Sequence, residues 1–480
     1  MTKKFFLLVF CCSFFSVYSQ QNSKAENPKN GDYKIEVILK NFEDSALYMA
    51  YYFGKGQYYR DTAKAVKKGK FIFESDKDTL EHGMYSIISG NTKLFDFIVD
   101  AQKIRFQADT AQISSSMEVF GSEENKIFFD YLSFLSVKQK EAAALDRKRK
   151  SASKKEREKI KQQMLDLDKE VKAFIDQLHQ EHAGKLSSNF IKAISVPQVP
   201  KPPKKEDGSI DSSFQFRYYK NHFLDDIDFS DERLLRTSAY HEKIMTYMDK
   251  LTPQIPDSII KSIDQILGRA AKNKTLFTYT INNLMAKYER SQQMGMDAVF
   301  VHLAKNYYLT EKWSGIISKE QLEKIEERAT ALNPLLIGKK APNIVVKDTA
   351  QKKFLQLYDV KSPFTVVYIW SPECGHCKVA TPKLKKIYDE YKNKGLEVFA
   401  VNNDFENEEW IKFINKHKLD WINGSDGGDF KSNFRFNYDV YSTPQTYLLD
   451  KDKKILSKKM SVESLRNILD HFMRKEYNNQ

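Results

Sequence analysis

The chain has 480 residues, of which 41% are hydrophobic, 13% aromatic and 29% charged. A chain of this length predicts about three domains with ordinary hydrophobic cores, which excludes a small scaffold held together by disulfides. The formal net charge is +13, but the basic residues are spread along the chain among 64 acidic ones. We therefore expect a mildly cationic surface and no nucleic-acid partner.

The first 19 residues have the pattern of a signal peptide. A positively charged start precedes the apolar run 5–17, and Ser19 ends a site that suits a signal peptidase. Cleavage there leaves a polar leader, residues 20–31, which we expect to be disordered. The sequence thus predicts an exported protein. An uncleaved anchor is the alternative, although the apolar run is short for a membrane span.

Three regions with different periodicities follow. Residues 32–121 carry short β-branched and aromatic runs between turn residues, which predicts an antiparallel, sandwich-like β domain. Residues 122–333 have helical periodicity and contain a proline-rich loop, 195–209, which lacks the donors that a helix needs. The basic run 147–155 predicts the tip of a helical hairpin. Residues 334–480 alternate strands and helices, as in a small α/β domain.

The periodicity also predicts individual elements. In the first region, the strands are expected at 33–39, 47–53, 69–75, 84–88, 94–99 and 104–108. In the last region, strands are expected at 364–370, 396–402, 445–450 and 454–458, and helices at 379–391, 407–417 and 461–474.

The four cysteines are Cys11, Cys12, Cys374 and Cys377. The first two lie in the predicted signal peptide, so the mature chain keeps one Cys-x-x-Cys pair. Stabilising disulfides close long loops, and this pair closes almost none, so we interpret it as chemical rather than structural. Structural zinc needs four ligands, and the sequence offers no second cysteine pair. We therefore expect no metal and no cofactor.

The pair lies between the predicted strand 364–370 and a helix. Free backbone N–H groups and the positive end of the dipole stabilise a thiolate at a helix N-terminus, and the thiolate is the nucleophile. We expect Cys374 to attack and Cys377, one turn further along, to resolve the mixed disulfide. His376 is expected to raise the redox potential, because a donor or cation near Cys374 stabilises the reduced form. A solvated helix-end histidine is the alternative for His376.

Residues 334–480 resemble the thioredoxin superfamily and, within it, the TlpA/ResA-like exported oxidoreductases. The resemblance rests on four features in order: Gly338-Lys-Lys-Ala-Pro342, Cys374-Gly-His-Cys377, Pro382 and Ser442-Thr443-Pro444. It implies a thioredoxin fold, a redox-active Cys374–Cys377 disulfide, a helix kinked at Pro382 and a structural Trp370 near the site. It also implies a cis bond before Pro444, with the backbone of Thr443 pairing with the substrate.

The same resemblance implies protein thiols or disulfides as substrates, a membrane redox partner that resets the pair, and a location in the periplasm or cell envelope of a Gram-negative bacterium. Two positions depart from the family pattern. Tyr368 stands where thioredoxin has a buried acid, and Ala380 stands where many TlpA-like proteins carry a glutamate. These acids assist proton transfer at the resolving cysteine, so the proton relay is unassigned, and the neighbouring Glu373 is a weak substitute. Residues 33–120 and the helical region resemble domains of exported Bacteroidetes proteins that have no assigned chemistry.

The sequence thus predicts a multidomain chain: an antiparallel β domain, an α-helical domain and a C-terminal thioredoxin fold with thiol–disulfide oxidoreductase activity. Two alternatives stay open. A thiol peroxidase needs Pro-x3-Thr/Ser-x2-Cys, and Val367 occupies the position of that proline. A non-catalytic binding or assembly protein of the cell envelope would instead use the β and helical domains, with the thioredoxin-like domain as an auxiliary.

Overall fold

The computed structural model describes residues 31–204, 206–291, 293–313, 315–404, 406–427 and 432–478. The predicted signal peptide and residues 20–30 of the predicted leader lie outside these ranges. The chain forms two compact units. The first unit runs up to Thr252 and includes Gln265–Tyr279, and the second contains Pro253–Asp264 and everything from Thr280 onward. Because the division falls within the helical region, the domain boundaries at 121/122 and 333/334 stay predictions.

An eight-stranded sheet opens the first unit, with the strand order β6-β5-β2-β3-β4-β1-β7-β8. The strands are β1 (Tyr33–Lys40), β2 (Ala46–Phe53), β3 (Gly56–Lys67), β4 (Lys70–Ser75), β5 (Gly83–Ser89), β6 (Thr92–Val99), β7 (Lys103–Asp109) and β8 (Glu118–Phe120). All pairs are antiparallel except β1 with β7, which is parallel. The predicted antiparallel β domain is therefore confirmed as a class, with one parallel pair that the periodicity did not reveal.

The sheet folds over so that its two halves share one core. The long strand β3 pairs with β2 through its first part and with β4 through its end, so it passes from one half to the other. Phe95 and Phe97 of β6 contact Phe106 of β7, with ring centroids 5.6 and 5.1 Å apart. These strands are far apart in the sheet order, so their contact places an aromatic layer between the two halves.

Helices fill the region after β8, and one short helix precedes this strand. They are α1 (Ile113–Ser116), α2 (Glu123–Ser151), α3 (Lys154–Glu181), α4 (Leu186–Ile194), α5 (Phe214–His222), α6 (Ala239–Thr246), α7 (Pro256–Ala270), α8 (Lys274–Glu289), α9 (Asp297–Leu303) and α10 (Lys319–Leu332). Helices α2 and α3 form a hairpin whose tip, at Ala152 and Ser153, lies in the basic run as predicted. Ser153 and Glu156 make a capping box that starts α3. Residues 195–203 form neither helix nor strand, which agrees with the predicted proline-rich loop.

The C-terminal part of the second unit is a seven-stranded sheet with the order β10-β9-β13-β12-β11-β14-β15. Its elements are β9 (Val345–Lys347), β10 (Phe354–Gln356), β11 (Phe364–Trp370), α11 (Gly375–Tyr391), β12 (Leu396–Asn402), α12 (Glu408–His417), β13 (Ile422–Ser425), α13 (Phe434–Asn437), β14 (Gln445–Leu449), β15 (Ile455–Lys458) and α14 (Val462–Asn478). β11, β12 and β13 run parallel, whereas β14 and β15 are antiparallel. This α/β arrangement confirms the predicted thioredoxin-like class.

β11 is the centre of this sheet, and all of its residues are buried. Because its side chains alternate between the two faces, Val366, Tyr368 and Trp370 join the core beneath α11, whereas Val367 and Ile369 join the core on the opposite face. A strand that is buried on both faces holds its C-terminal end firmly, and the cysteine motif follows that end. Across the described ranges, no helix combines the length and apolarity needed to cross a bilayer.

Candidate active site

The cysteine motif forms the junction between β11 and α11. Cys374 is the N-cap residue of α11, with an extended backbone (φ −72°, ψ 119°). The turn that leads to it is fixed by Ser371, whose carbonyl accepts from the Cys374 backbone N–H at 3.3 Å and whose hydroxyl accepts from the Glu373 backbone N–H at 3.1 Å. The sulfur of Cys374 therefore stands in the place of a capping side chain, where N–H groups of the first helical turn converge.

The Cys374 sulfur is half-buried and has several hydrogen-bond partners. It accepts from the Cys377 backbone N–H at 3.3 Å, and its thiol donates to the Thr443 carbonyl oxygen at 3.2 Å. Burial alone would raise the pKa of the Cys374 thiol. Hydrogen bonds with the Cys377 and Thr443 side chains and from the backbone N–H groups of Cys377 and His376 outweigh burial, so this pKa lies below its ordinary value.

Cys377 has the opposite environment. Its side chain is fully buried in the core beneath α11. Burial, followed by the hydrogen bond to the Cys374 sulfur, raises the pKa of Cys377 to about 12. The free pair thus combines one accessible sulfur that ionises readily with one enclosed sulfur that holds its proton.

Glu373 and His376, the two residues near Cys374 that the sequence singled out, are both exposed. His376 lies in the first turn of α11, and its backbone N–H is one of the donors that lower the pKa of Cys374. Its imidazole lies in solvent at the rim of the site. Glu373 is also exposed, so its carboxylate lies outside the core that holds Cys377.

The Thr443–Pro444 peptide bond is cis, as expected from the sequence. β14 pairs with β11 so that Gln445 lies opposite Ile369, and this register carries the preceding loop past the end of β11 to the cysteines. The Gln445 side chain donates to the Asp439 carbonyl oxygen at 3.0 Å and so holds the loop from beneath. Thr443 and Cys374 are brought together from distant parts of the chain by this arrangement.

The structure places Tyr368 and Trp370 in the core under the motif. Both are fully buried, and the Trp370 ring packs against Phe413 with a centroid distance of 5.2 Å. The Tyr368 hydroxyl is 2.9 Å from Thr381 Oγ1, and the Thr381 hydroxyl donates to the Cys377 carbonyl oxygen at 2.8 Å. A chain of two hydroxyls therefore occupies the neighbourhood where thioredoxin has an acid.

Pro382 and Ala380, which the sequence also singled out, both lie on α11. Pro382 is inside the helix and partly buried. Because proline has no backbone N–H, it removes one bond of the helical ladder near the motif. Ala380 is partly buried and packs against the core that contains Cys377. Its methyl group brings no titratable atom to the site.

Ser371 and Asp404 had no role in the oxidoreductase site that the sequence predicted. The Ser371 hydroxyl donates to Asp404 Oδ2 at 2.6 Å, which ties the turn before Cys374 to the loop after β12. β11 and β12 are parallel, and Trp370 lies opposite Asn402. Since the carboxyl ends of neighbouring parallel strands meet at one edge of a sheet, the sequence did contain a signal for Asp404. Among the described residues, no group of three or more His, Cys, Asp and Glu side chains is placed to hold a metal ion.

Three family profiles match successive parts of the chain. Residues 337–458 match the AhpC/TSA family. Residues 152–333 match a domain of unknown function, DUF5106, and residues 33–128 match another, DUF4369. These matches follow the order of the β, helical and thioredoxin-like regions.

Curated relatives of the C-terminal part are thiol–disulfide oxidoreductases named ResA. The ResA of Bacillus cereus is 30% identical over 164 residues, which are 34% of this chain and 84% of the relative. The chain belongs to the ResA family of thiol–disulfide oxidoreductases. The ResA of Bacillus subtilis is 30% identical over 119 residues, which are 25% of this chain and 64% of that protein. Membership of the ResA family confirms the predicted enzyme class.

Solved structures similar to this ResA-family chain include two from Bacteroidetes. A domain of a possible thiol-disulfide isomerase from Cytophaga hutchinsonii is 38% identical and covers 31% of this chain and 99% of its own, with a TM-score of 0.29. A thioredoxin-like protein from Bacteroides caccae is 21% identical and covers 58% of this chain and 100% of its own, with a TM-score of 0.44.

Proposed function

We propose that the protein is an exported thiol–disulfide oxidoreductase that exchanges disulfides with protein substrates through Cys374-Gly-His-Cys377. One observation carries the proposal. The two sulfurs have opposite environments: the pKa of half-buried Cys374 is lowered by hydrogen bonds despite burial, and the pKa of buried Cys377 is raised to about 12. This difference supports an attacking role for Cys374 and a resolving role for Cys377.

The exchange proceeds in two steps. The Cys374 thiolate attacks one sulfur of a substrate disulfide, forms a mixed disulfide and releases the other substrate sulfur as a thiolate, which takes up a proton. Cys377 then loses its proton and attacks the Cys374 sulfur, which forms the Cys374–Cys377 disulfide and releases the second substrate thiol. Two electrons and two protons pass from the protein to the substrate, and the reverse sequence oxidises a substrate dithiol.

The loop at Thr443 supports a role in substrate binding. Its carbonyl oxygen lies 3.2 Å from the Cys374 sulfur, so a polypeptide that pairs with this backbone brings its own sulfur to Cys374. His376, exposed in the first turn of α11, is proposed to tune the potential of the pair.

Export and a membrane redox partner complete the proposal. The signal-peptide pattern of residues 1–19 supports export. Each turnover leaves the pair in the other redox state, so a second thiol or disulfide couple must reset it. A membrane-bound couple fits a protein that acts in the periplasm or cell envelope.

Insulin reduction tests the activity, with the wild-type chain compared with Cys374→Ala and Cys377→Ala. We expect Cys374→Ala to show only the background rate. We expect Cys377→Ala to accumulate a mixed disulfide with insulin that a reductant releases, because the resolving thiol is missing. Equal rates in the wild type and Cys374→Ala would contradict the proposal.

The rate at which hydrogen peroxide oxidises Cys374 tests the peroxidase alternative. Val367 is fully buried in β11 at the position where that reaction needs a proline. We therefore expect hydrogen peroxide to oxidise Cys374 no faster than it oxidises an ordinary thiol with a similar thiolate fraction. Rapid peroxide consumption that depends on Cys374 would favour the peroxidase instead.

A further inference from the structure

An arginine of the helical region lies against the loop in front of Pro444. Arg328 is on α10 and belongs to the same unit as the cysteines. Its guanidinium carbon is 5.8 Å from the ring centroid of Tyr441 and 5.9 Å from that of Phe300. Tyr441 is 80% exposed, whereas Phe300 is 2% exposed. The cation therefore lies between a buried ring of α9 and a solvent-facing ring of the loop.

The Arg328 guanidinium has no acidic partner among the residues that the structure describes. The Nε atom of Arg328 is buried and makes no hydrogen bond, and within the described ranges no carboxylate forms an ion pair with this residue. Other basic residues of α10 do have partners, as Lys324 pairs with Glu320 at 2.8 Å. Arginine presents five donors in a fixed fork that matches a carboxylate, so a half-buried guanidinium without such a partner can receive one from a ligand.

The subsite lies a short distance from the reacting sulfur. Thr443, two residues after Tyr441, contacts Cys374 through its carbonyl oxygen at 3.2 Å. Residues 441–443 form a bend, so their backbone spans less than the roughly 7 Å of two extended residues. An extended substrate that pairs with Thr443 and brings its cysteine to Cys374 therefore places a residue about two positions away within reach of Tyr441 and Arg328.

We propose that Arg328 and Tyr441 form a carboxylate-binding subsite that recognises an acidic side chain about two residues from the reactive cysteine of an extended polypeptide substrate. This inference rests on the proposed function, because it concerns the substrate of that reaction. Tyr441 supplies an apolar platform, and Arg328 supplies the charge-assisted hydrogen bonds. The helical region thereby contributes a specificity-determining residue to the thioredoxin-like site.

Short peptides with amidated C-termini and a single cysteine test the subsite. Each peptide carries its cysteine as a disulfide with 4-thiopyridine, and pairs of peptides differ only by Glu or Gln at the second residue before or after the cysteine. Cys374 attacks the peptide sulfur and 4-thiopyridone leaves. Cys377 then displaces the peptide thiol and forms the Cys374–Cys377 disulfide. The released thiopyridone gives the rate in a single turnover of the reduced, full-length protein.

For wild type, we expect the Glu peptide to react about three- to tenfold faster than its Gln partner at one of the two placements, with the preference falling as salt is added. Arg328→Gln should bring the Glu-to-Gln ratio to about one, and Arg328→Lys should keep part of the preference, since it keeps the charge but loses the fork. Lys324→Gln, which removes a charge one turn earlier on α10, should leave the ratio and the basal rate unchanged. The ratio is measured within each protein, so a general loss of activity cancels.

Equal rates with Glu and Gln peptides at both placements in the wild type would overturn the subsite, as would an unchanged preference in Arg328→Gln. Both results leave the proposed function standing if the wild type reacts with 4,4′-dithiodipyridine, a neutral small disulfide. If wild type and Cys374→Ala react equally with that small disulfide, the proposed function itself fails.

Discussion

The difference between the two thiols arises from their positions at one helix terminus. Cys374 caps α11, so the backbone N–H groups of His376 and Cys377 can stabilise its thiolate. Cys377, within the first turn, faces the buried core and is shielded from water. A separation of three residues along a helix thus distinguishes a partly exposed sulfur with a lowered pKa from an enclosed sulfur with a raised pKa.

Removing Cys377 should make Cys374 less acidic. The hydrogen bond from the Cys377 side chain lowers the pKa of Cys374, so we expect this pKa to rise in Cys377→Ala. The pH dependence of iodoacetamide alkylation measures it. The midpoint for wild type should lie below the ordinary cysteine pKa of about 8.5, and that for Cys377→Ala should be higher. Cys377→Ser, which keeps a donor, is the matched control and should stay close to wild type. A midpoint in Cys377→Ala at or below that of wild type would contradict this.

The backbone and the ring of residue 376 can be tested separately. Proline lacks an N–H, so His376→Pro removes the backbone donor to Cys374 as well as the imidazole, at a helical position where proline is tolerated. A less stable thiolate disfavours the reduced form, so we expect the redox potential to fall by about 30 mV, which corresponds to about 1.4 kcal/mol.

His376→Ala keeps the N–H and removes only the ring, so any fall in its potential measures the imidazole alone. Titration of the Cys374–Cys377 pair against glutathione gives both values. An unchanged potential in His376→Pro would rule out a tuning role for this position.

At the scale of elements, β11 and α11 are joined beneath the motif by hydroxyl groups rather than by an acid. The Tyr368 hydroxyl of β11 is hydrogen-bonded to the Thr381 hydroxyl of α11, which is hydrogen-bonded in turn to the backbone carbonyl of Cys377. Burial raises the pKa of Tyr368 well above its usual range, with the two cysteines adding to this effect and Thr381 opposing it. The hydroxyl therefore stays protonated at neutral pH and cannot act as the base that an ionised carboxylate provides.

Tyr368→Phe should thus affect stability more than catalysis. Loss of one buried hydrogen bond is expected to lower the free energy of unfolding by about 1 kcal/mol. Resolution of the mixed disulfide, followed in a single turnover with insulin, should stay close to the wild-type rate. Thr381→Val, which breaks the other bond of the same chain, is the matched comparison. A fall in the resolution rate of about a hundredfold in Tyr368→Phe would instead assign the proton relay to Tyr368.

At the scale of the whole molecule, the second unit joins helices to the thioredoxin-like sheet. Lys458, on the edge strand β15, is 3% exposed and forms an ion pair with Asp297 at the start of α9. Its ammonium also donates to the Leu335 carbonyl oxygen at 2.6 Å. Burial lowers the pKa of Lys458 although Asp297 opposes the shift. The ion pair therefore ties the start of α9 to the edge strand β15 and is costly to break.

Asp297→Ala should destabilise this unit by about 3 kcal/mol at neutral pH, because it leaves a buried ammonium without its partner. Adding Lys458→Met should recover most of the loss, since no charge then needs to be buried. Urea unfolding of the two variants and of the wild type, with Lys458→Met alone to complete the cycle, measures the coupling.

The effect of pH on the stability of Asp297→Ala has a definite sign. An unpaired buried lysine has a lower pKa when folded than when unfolded, so the unfolded state binds more protons between the two values. The loss of unfolding free energy in Asp297→Ala should therefore become smaller as the pH rises from the folded to the unfolded pKa of this lysine. A deficit that grows with pH, or no recovery in the double variant, would show that the ion pair is not the cause.

The sequence revealed four of the seven strands of the sheet at the site. β11 and β12 occur at the residues predicted, because short and mostly apolar runs are typical of strands that are buried on both faces. β3 was missed because Ala63 is the single buried residue among its 12, so it carries no apolar alternation. β9, β10 and β13 are too short for periodicity and form through pairing with neighbours that are distant in sequence.

The amino-acid sequence alone determined the cysteine pair and its place between a strand and a helix, because residue types and local spacing encode them, whereas the loop at Pro444 followed from the resemblance to thioredoxin-like proteins. Only the tertiary structure decided what surrounds them: the Thr443 carbonyl at Cys374, the Tyr368–Thr381 hydroxyls under Cys377, the Asp404 carboxylate on Ser371, and Arg328 beside Tyr441. These contacts join segments that lie far apart along the chain. Their geometry depends on strand order and helix packing, which local periodicity does not encode.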